Sequence, residues 1–433
     1  MKPLNIGILG TRGIPANYGG FETFAEECGA GLAARGHSVT VYGRSHYVPP
    51  GLRRHRNVAL VVLPTLRWKF TDTVVHTFVS VLHAIFLQFD VILICNAANS
   101  IYAWLPRVFG TPVVVNVDGI ERMRRKWNWL GRSYYRLCEH FSVWFPSTIV
   151  TDARVIEHYY RERYNAASVF IPYGAVTGKP HGRTTLDALG VEPGKYYLYV
   201  SRLEPENNAH LVVRAFAKVL TAKRLIVVGD APYARDYIRD LKQIQDPRIL
   251  FPGAIYGEGY RELQAHAFCY IHATEVGGTH PALIEAMGQG NLIVANGTPE
   301  NSEVLGDAGI FYRKNDMADM AHCLQDVADF PDKYAGLRQA ARDRALRLYS
   351  WDSVVSQYEE LFASLVKTRS QESGVRSQGR EDKKDSHLLR RCEAPEEWGN
   401  RRRAGVKSRR VAGVQAHIPD SGRPCSQPPV GRL

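Results

Sequence analysis

Asn5-Ile6-Gly7-Ile8-Leu9-Gly10-Thr11-Arg12-Gly13-Ile14-Pro15-Ala16-Asn17-Tyr18-Gly19-Gly20 opens the chain with a short apolar run that passes into a glycine-rich turn. Behind it, Phe21, Phe24, Cys28 and Leu32 recur three or four apart, the spacing of one helix face, until Gly36 stops the pattern. Residues 38–42 then form a β-rich run closed by Gly43. Strand, loop, helix, strand is the start of a βαβ unit, and it predicts the α/β class.

Working outward, apolar runs at 58–63, 91–95, 112–117, 148–151 and 169–171 alternate with helical segments. Continuous apolar strands of this kind belong to a parallel sheet covered on both faces. Residues 175–185 are rich in Gly, Pro and polar side chains, as a linker should be. A second series follows, with strand-like runs at 196–200, 224–228, 249–251, 267–271 and 292–295. The expected domains are therefore 1–176 and 186–350, followed by a helix over 351–367 that could pack back across the first domain. Beyond it, 368–433 lose apolar periodicity and are expected to be disordered. At 433 residues and 45% hydrophobic content, two domains are the natural reading.

The net charge is +12, of which residues 367–433 carry +8 through sixteen Lys and Arg against eight Asp and Glu. Basicity concentrated in a tail argues against nucleic acid as the partner of the folded part. Seven cysteines without Cys-x-x-Cys pairs, and no basic-then-apolar leader, predict a cytoplasmic protein with no metal site. The apolar stretch 74–95 is interrupted by His76, His83, Gln88 and Asp90, so it reads as a buried helix and a strand, not a membrane span.

The first loop joins a strand to a helix, where backbone N–H groups and the helix dipole favour an anion such as a diphosphate. A nicotinamide-dependent oxidoreductase would need an acidic residue at the end of the second strand, and Tyr42-Gly43-Arg44 stands there instead. Val276-Gly277-Gly278-Thr279-His280-Pro281 precedes a helix, with Pro281 suited to its first position and Glu285 one turn in. These N–H groups form a second candidate anion site.

Ser201-Arg202-Leu203-Glu204-Pro205-Glu206-Asn207-Asn208 and the 276–287 segment together resemble glycosyltransferase family 4. Gly10 to Thr23 and Asn116-Val117-Asp118-Gly119-Ile120-Glu121 resemble a bacterial, rhamnosyltransferase-like subgroup of it. The resemblance spans about residues 4–366 and implies a GT-B fold: two Rossmann-like domains with parallel sheets facing across a cleft. It implies a retaining transfer from a nucleotide sugar, with dTDP-rhamnose suggested by the subgroup, and no cofactor or essential metal. Arg202 matches the phosphate-binding place and Glu285 the ribose-binding glutamate. Asn207 stands where many members have lysine, and Gly277 where the usual motif has its first glutamate.

The implied donor-binding set is Gly10, Gly19, Gly20, Arg202, Asn207, Gly277, Gly278, Thr279 and Glu285, with Asp118, Arg202 and Glu285 in catalytic roles. Asn17, Tyr18, Asp118, Glu121, Arg122, Arg125, Lys126 and Trp127 form the implied acceptor side. That wall would meet a saccharide or lipid-linked saccharide at the anionic inner membrane surface, where Arg and Lys attract phosphate and Trp favours the interface. A non-catalytic scaffold of the same fold and a UDP-sugar epimerase are the rival readings beside the oxidoreductase.

Overall fold

The computed structural model describes the backbone of residues 2–17, 19–66, 72–124, 127–178, 182–231 and 234–392, with side chains as far as residue 371. Residues 1–375 form one compact unit, and Arg376–Leu433 are a second, described only as the helix that reaches Cys392.

The first sheet is built from β1 (Asn5–Leu9), β2 (Ser38–Arg44), β3 (Arg54–His55), β4 (Val58–Leu63), β5 (Val91–Cys95), β6 (Val113–Val117), β7 (Thr148–Thr151) and β8 (Val169–Phe170). Among the described residues their order is β3-β4-β2-β1-β5-β6-β7-β8, parallel except for β3 against β4. Helices α1 (Gly20–Ala34), α2 (Asp72–Phe86), α3 (Trp104–Val108), α4 (Trp129–Trp144) and α5 (Arg154–Tyr164) cover it. β5 and β6 are buried at every position, which is why they read as unbroken apolar runs.

The second sheet has the order β11-β10-β9-β12-β13-β14. Its strands are β9 (Tyr196–Val200), β10 (Arg224–Val228), β11 (Ile249–Gly253), β12 (Cys269–His272), β13 (Ile293–Asn296) and β14 (Ile310–Tyr312), all pairing parallel. Its helices are α6 (Thr184–Leu189), α7 (Ala209–Phe216), α8 (Arg235–Leu241), α9 (Gly257–His266), α10 (Pro281–Gly288), α11 (Pro299–Leu305), α12 (Met317–Asp329) and α13 (Ala335–Leu348). Strand order reverses between β1 and β5 in one sheet and between β9 and β12 in the other. Crevices outside the carboxyl ends of strands at such reversals are where ligands bind in open α/β sheets.

The opening turns of the last helix, α14 (Trp351–Cys392), pack on the first domain. Tyr358 accepts a 2.6 Å bond from Asn116 Nδ2, and Arg35 pairs with Asp352 and Glu359 at 2.5 and 2.9 Å. Apolar packing on this helix continues to Leu365 and Val366, although the helical backbone runs beyond the expected end at Lys367. The remainder of the tail, 393–433, lies outside the described residues.

Two expectations need correction. α2 is not buried on all sides: Phe78, Leu82 and Phe86 are exposed, the last at 83%. No described helix is long and apolar enough to cross a membrane. The linker is also shorter than 175–185, because α6 already begins at Thr184, and Ala175 is tied to the chain's return crossing by a bridge to Ser350 and a 2.6 Å bond from its N–H to the Tyr349 carbonyl.

Candidate active site

The first loop turns sharply at Gly10, whose φ of +89° and closeness to the Cys95 carbonyl leave no room for a side chain. That places Gly10 behind the loop, buried against β5, rather than at the cleft. Two of the loop's backbone donors are occupied by its own helix and a third within the loop. Arg12 N–H donates to Glu22 at 2.9 Å, Ala16 N–H to Glu26 at 2.6 Å, and Gly13 N–H to the Thr11 hydroxyl at 3.1 Å. Carboxylates from the first two turns of α1 thus take the place that an external anion would have. Gly19 and Gly20, by contrast, face the cleft, and a β-carbon on Gly20 would lie 3.1 Å from Pro281 of the second domain.

The second glycine run docks on the first domain in the same way. Gly278 N–H donates to the Asp118 carbonyl at 3.0 Å. Thr279 N–H donates to Asp152 Oδ2 at 3.0 Å, and the Thr279 hydroxyl to the Asp152 carbonyl at 2.5 Å. Asp152 is completely buried, and burial first, then the neighbouring Asp118, pushes its carboxyl well above the ordinary range. Nearby, Glu303 of α11 accepts from the N–H groups of Arg154 and Val155 at 2.7 and 2.9 Å, capping α5 from the other domain. The start of α10 therefore serves as a domain-to-domain joint, with two of its donors already used.

Between these joints lies a cleft of about 330 Å³. Arg202, Asn207 and Glu285 line it from the second domain, Gly19, Gly20 and Arg124 from the first. Arg202 stands just beyond β9 with its guanidinium one-third exposed and 3.7 Å from Glu204. Asn207 is turned inward, its amide donating to the Arg202 carbonyl at 2.7 Å. Glu285 accepts a 2.5 Å bond from the Tyr260 hydroxyl, which itself accepts one from Gln264 at 2.9 Å. Burial pushes the Glu285 carboxyl up to about 7, against the lowering effects of Tyr260 and Arg261.

Matches to known proteins follow this division. A model described as "Glycosyl transferase 4-like domain" matches residues 19–174, and one described as "Glycosyl transferases group 1" matches residues 194–329, together more than half of the chain. The chain is a GT-B protein, glycosyltransferase family 4-like. O-antigen chain mannosyltransferase B of Escherichia coli is 26% identical over 169 residues, 37% of this chain and 44% of that protein, so the match spans less than half of the relative. Sucrose-phosphate synthase from Thermosynechococcus elongatus superposes with a TM-score of 0.73 at 18% identity, over 84% of this chain and all of that one. Anabaena HepE, solved with UDP and glucose, gives 0.69 at 17% identity, over 83% of this chain and all of that one.

Within this family 4-like site the acceptor-side residues divide. Asp118 follows directly on β6, half-buried, its carboxyl raised to about 6 by burial and Glu121 while Arg124 and Arg202 oppose. Glu121 pairs with Arg124 at 2.7 Å and accepts from Trp127 Nε1 at 3.4 Å. Arg122 turns away from the cleft to Glu139 at 3.1 Å and to the Tyr159 hydroxyl at 2.8 Å. Buried Glu139 also collects the Tyr159 and Tyr164 hydroxyls at 2.8 and 2.6 Å, so Arg122 completes an internal network. Asn17 is exposed and donates to the Tyr47 carbonyl at 2.9 Å. Tyr18, Arg125 and Lys126 lie outside the described residues.

Two cleft residues escaped the sequence reading. Tyr260 orients Glu285 from a helix 25 residues earlier, a non-local relation with no spacing signal. Arg124 was visible only as one of several basic residues after Asp118. Where an oxidoreductase would need its ribose-binding acid, Arg44 is buried and ion-paired with Asp72 at 2.6 Å. The nicotinamide reading is not favoured by that arrangement.

Proposed function

We propose that this protein transfers a sugar from a nucleoside-diphosphate sugar to a saccharide acceptor, lipid-linked, in bacterial surface polysaccharide synthesis. The observation that carries the reading is the convergence of Arg202 and Glu285 on one cleft at the carboxyl ends of both sheets. Arg202 would hold the diphosphate and Glu285 the ribose diol. The relative's O-antigen name and the UDP and glucose of the HepE structure support the reaction class and the donor class. For the sugar itself we propose rhamnose from dTDP-rhamnose, on the likeness of the N-terminal motifs.

In the reaction, the bond between the anomeric carbon and the diphosphate oxygen breaks while the acceptor oxygen bonds to that carbon. The acceptor proton passes to the departing phosphate oxygen, and configuration is retained. Positive charge preorganised at the leaving group supplies most of the acceleration in such an arrangement. Asp118, at the end of β6, would orient the acceptor hydroxyl. We propose no essential metal, so activity should survive EDTA.

An anionic inner-membrane surface is the proposed meeting place with a lipid-linked acceptor. α2 and α4 both pack on the turn Ala97–Tyr102 and expose Phe78, Leu82, Phe86, Trp129, Leu137 and Trp144, with Arg132 and Arg136 beside them. Aromatic and basic side chains together suit an anionic interface. Flotation with phosphatidylglycerol vesicles but not with phosphatidylcholine vesicles is the expected result.

The deciding experiment is a thermal-shift series with dTDP, UDP, GDP, ADP and NAD(H), since a ligand of the native state raises its melting temperature. A selective shift with one nucleoside diphosphate, followed by transfer from the matching sugar and NMR of the product anomer, supports the proposal. A shift with NAD(H) alone, or with nothing, refutes it.

A further inference from the structure

Both glycine runs that could cradle a diphosphate spend backbone donors within the protein, on Glu22, Glu26, Asp152 and the Asp118 carbonyl. Position 207, five residues beyond Arg202, is an inward-turned asparagine without charge. A nucleoside diphosphate carries more negative charge than one guanidinium offsets. Another cation at the phosphate end of the cleft must therefore come from elsewhere.

Arg124 has the required position. It caps the turn Glu121–Met123 after β6, belongs to the first domain, and lines the cleft together with Arg202 of the second. Its residue is 7% exposed. Nε lies 2.7 Å from Glu121, whereas Nη1 stands 3.9 Å from both Glu204 and Glu206 and has no hydrogen-bond partner among the described residues. Glu206 is fully buried, and neither of its carboxylate oxygens has a hydrogen-bond partner among the described residues. A guanidinium anchored through Nε, with Nη1 near carboxylates yet outside bonding distance, is positioned with one end unspent.

We infer that Arg124 is a second diphosphate ligand, delivered from the opposite domain, held through Nε by Glu121, and that Glu206 balances the charge of its other end while the cleft is empty. The inference rests on the nucleotide-sugar reading above. Because each domain then contributes one guanidinium, the diphosphate of the donor would bridge the two domains. Glu206 acts as a competitor of the phosphate for Arg124, so removing its charge should strengthen binding.

Isothermal titration with UDP, GDP, dTDP and inorganic pyrophosphate, beside the matching nucleosides, tests this on the full chain. Arg124→Gln should weaken the preferred diphosphate and pyrophosphate by roughly 10- to 100-fold, the effect of one charge-assisted bond, and leave the nucleoside unchanged. Arg124→Lys should recover part of the loss. Glu206→Gln, which keeps Arg124, should tighten diphosphate binding several-fold, a gain that a merely structural role does not produce. If Arg124→Gln lowers only the melting temperature while diphosphate affinity stays at wild type, or if Glu206→Gln weakens binding, the inference is overturned. Failure of the wild-type chain to bind any diphosphate would instead refute the transferase reading itself, and this assignment with it.

Discussion

Gly278→Ala should open the joint between the two domains. A β-carbon at position 278 would stand 2.2 Å from Asp152 Oδ1 and 2.8 Å from its Cγ, where normal contact needs about 1 Å more. Asp152 cannot swing aside freely, since its Oδ2 accepts the Thr279 N–H and the side chain is wholly enclosed. Either the loop withdraws from the first domain or the carboxyl rotates and abandons Thr279. Overpacking of this kind costs about 1–3 kcal/mol, and a stranded buried donor about as much again. The expected loss is about 2–6 kcal/mol, read by calorimetry as a melting temperature lower by roughly 3–8 °C for a compact unit of this size.

Asp152→Ala in the same chain should relieve part of that strain, so the double variant should be less destabilised than the sum of the two singles. Gly336→Ala is the control: among the described residues nothing lies within 4 Å of its added β-carbon, and it sits in α13, where alanine is at least as good. A Gly278→Ala protein that melts with the wild type, or singles that add without coupling, would refute the reasoning.

Arg202→Ala and Glu285→Ala should each weaken use of the sugar donor by about 1–3 kcal/mol in kcat/KM, and unchanged donor kinetics in both would remove the site assignment. Glu285→Gln should become more favourable to stability as pH rises. Burial lifts the Glu285 carboxyl from 4.5 to about 7, so its protonation stabilises the fold fully below 4.5 and is lost as pH rises through 7. The variant cannot ionise, so its melting temperature relative to wild type should climb between pH 5 and pH 8, by the equivalent of about 1–2 kcal/mol after allowing for partial exposure. A flat difference contradicts the assignment. Glu303→Gln should destabilise by about 1 kcal/mol, because a neutral amide is a weaker acceptor for the two N–H groups opening α5. Faster amide exchange at Arg154 and Val155 would confirm where the loss arises.

The parallel sheets were legible because a strand buried on both faces must be apolar at every position, as Val91–Cys95 is. β3, with two residues, and β14, with three, are too short to show a period and were missed. The exposed side of α2 was misread because its interruptions, His76 among them, are buried while Phe78, Leu82 and Phe86 are outside. Only packing against neighbours determines which side of so apolar a helix faces inward.

The glycine runs illustrate a different limit. Gly-rich turns before α1 and α10 correctly mark backbone N–H groups aimed at an acceptor, but composition does not say whether that acceptor is a ligand or the protein. For the first loop a signal existed: Glu22 and Glu26 are four apart in the opening turns of α1, on one helix face beside the loop they cap. For the second, the acceptor is Asp152, 127 residues distant, and nothing local announces it.

Arg124 shows how backbone geometry can separate neighbours that look equivalent. The basic cluster after Asp118 suggested one continuous wall, as if its members shared a face. Arg122 lies within the 3-10 turn Glu121–Met123, whereas Arg124 follows it in extended backbone, so the two side chains leave in different directions. Arg122 goes inward to Glu139, and Arg124 goes to the cleft beside Glu204 and Glu206. Those two glutamates flank Pro205 on the second domain, an acidic segment next to the Arg202 proposed as a phosphate ligand. Its place is understandable once a cation from the other domain must be held there. With backbone donors of both glycine runs spent on the protein's own acceptors, the proposed diphosphate contacts fall to side chains from opposite domains, and donor affinity should then depend on how closely the two domains approach.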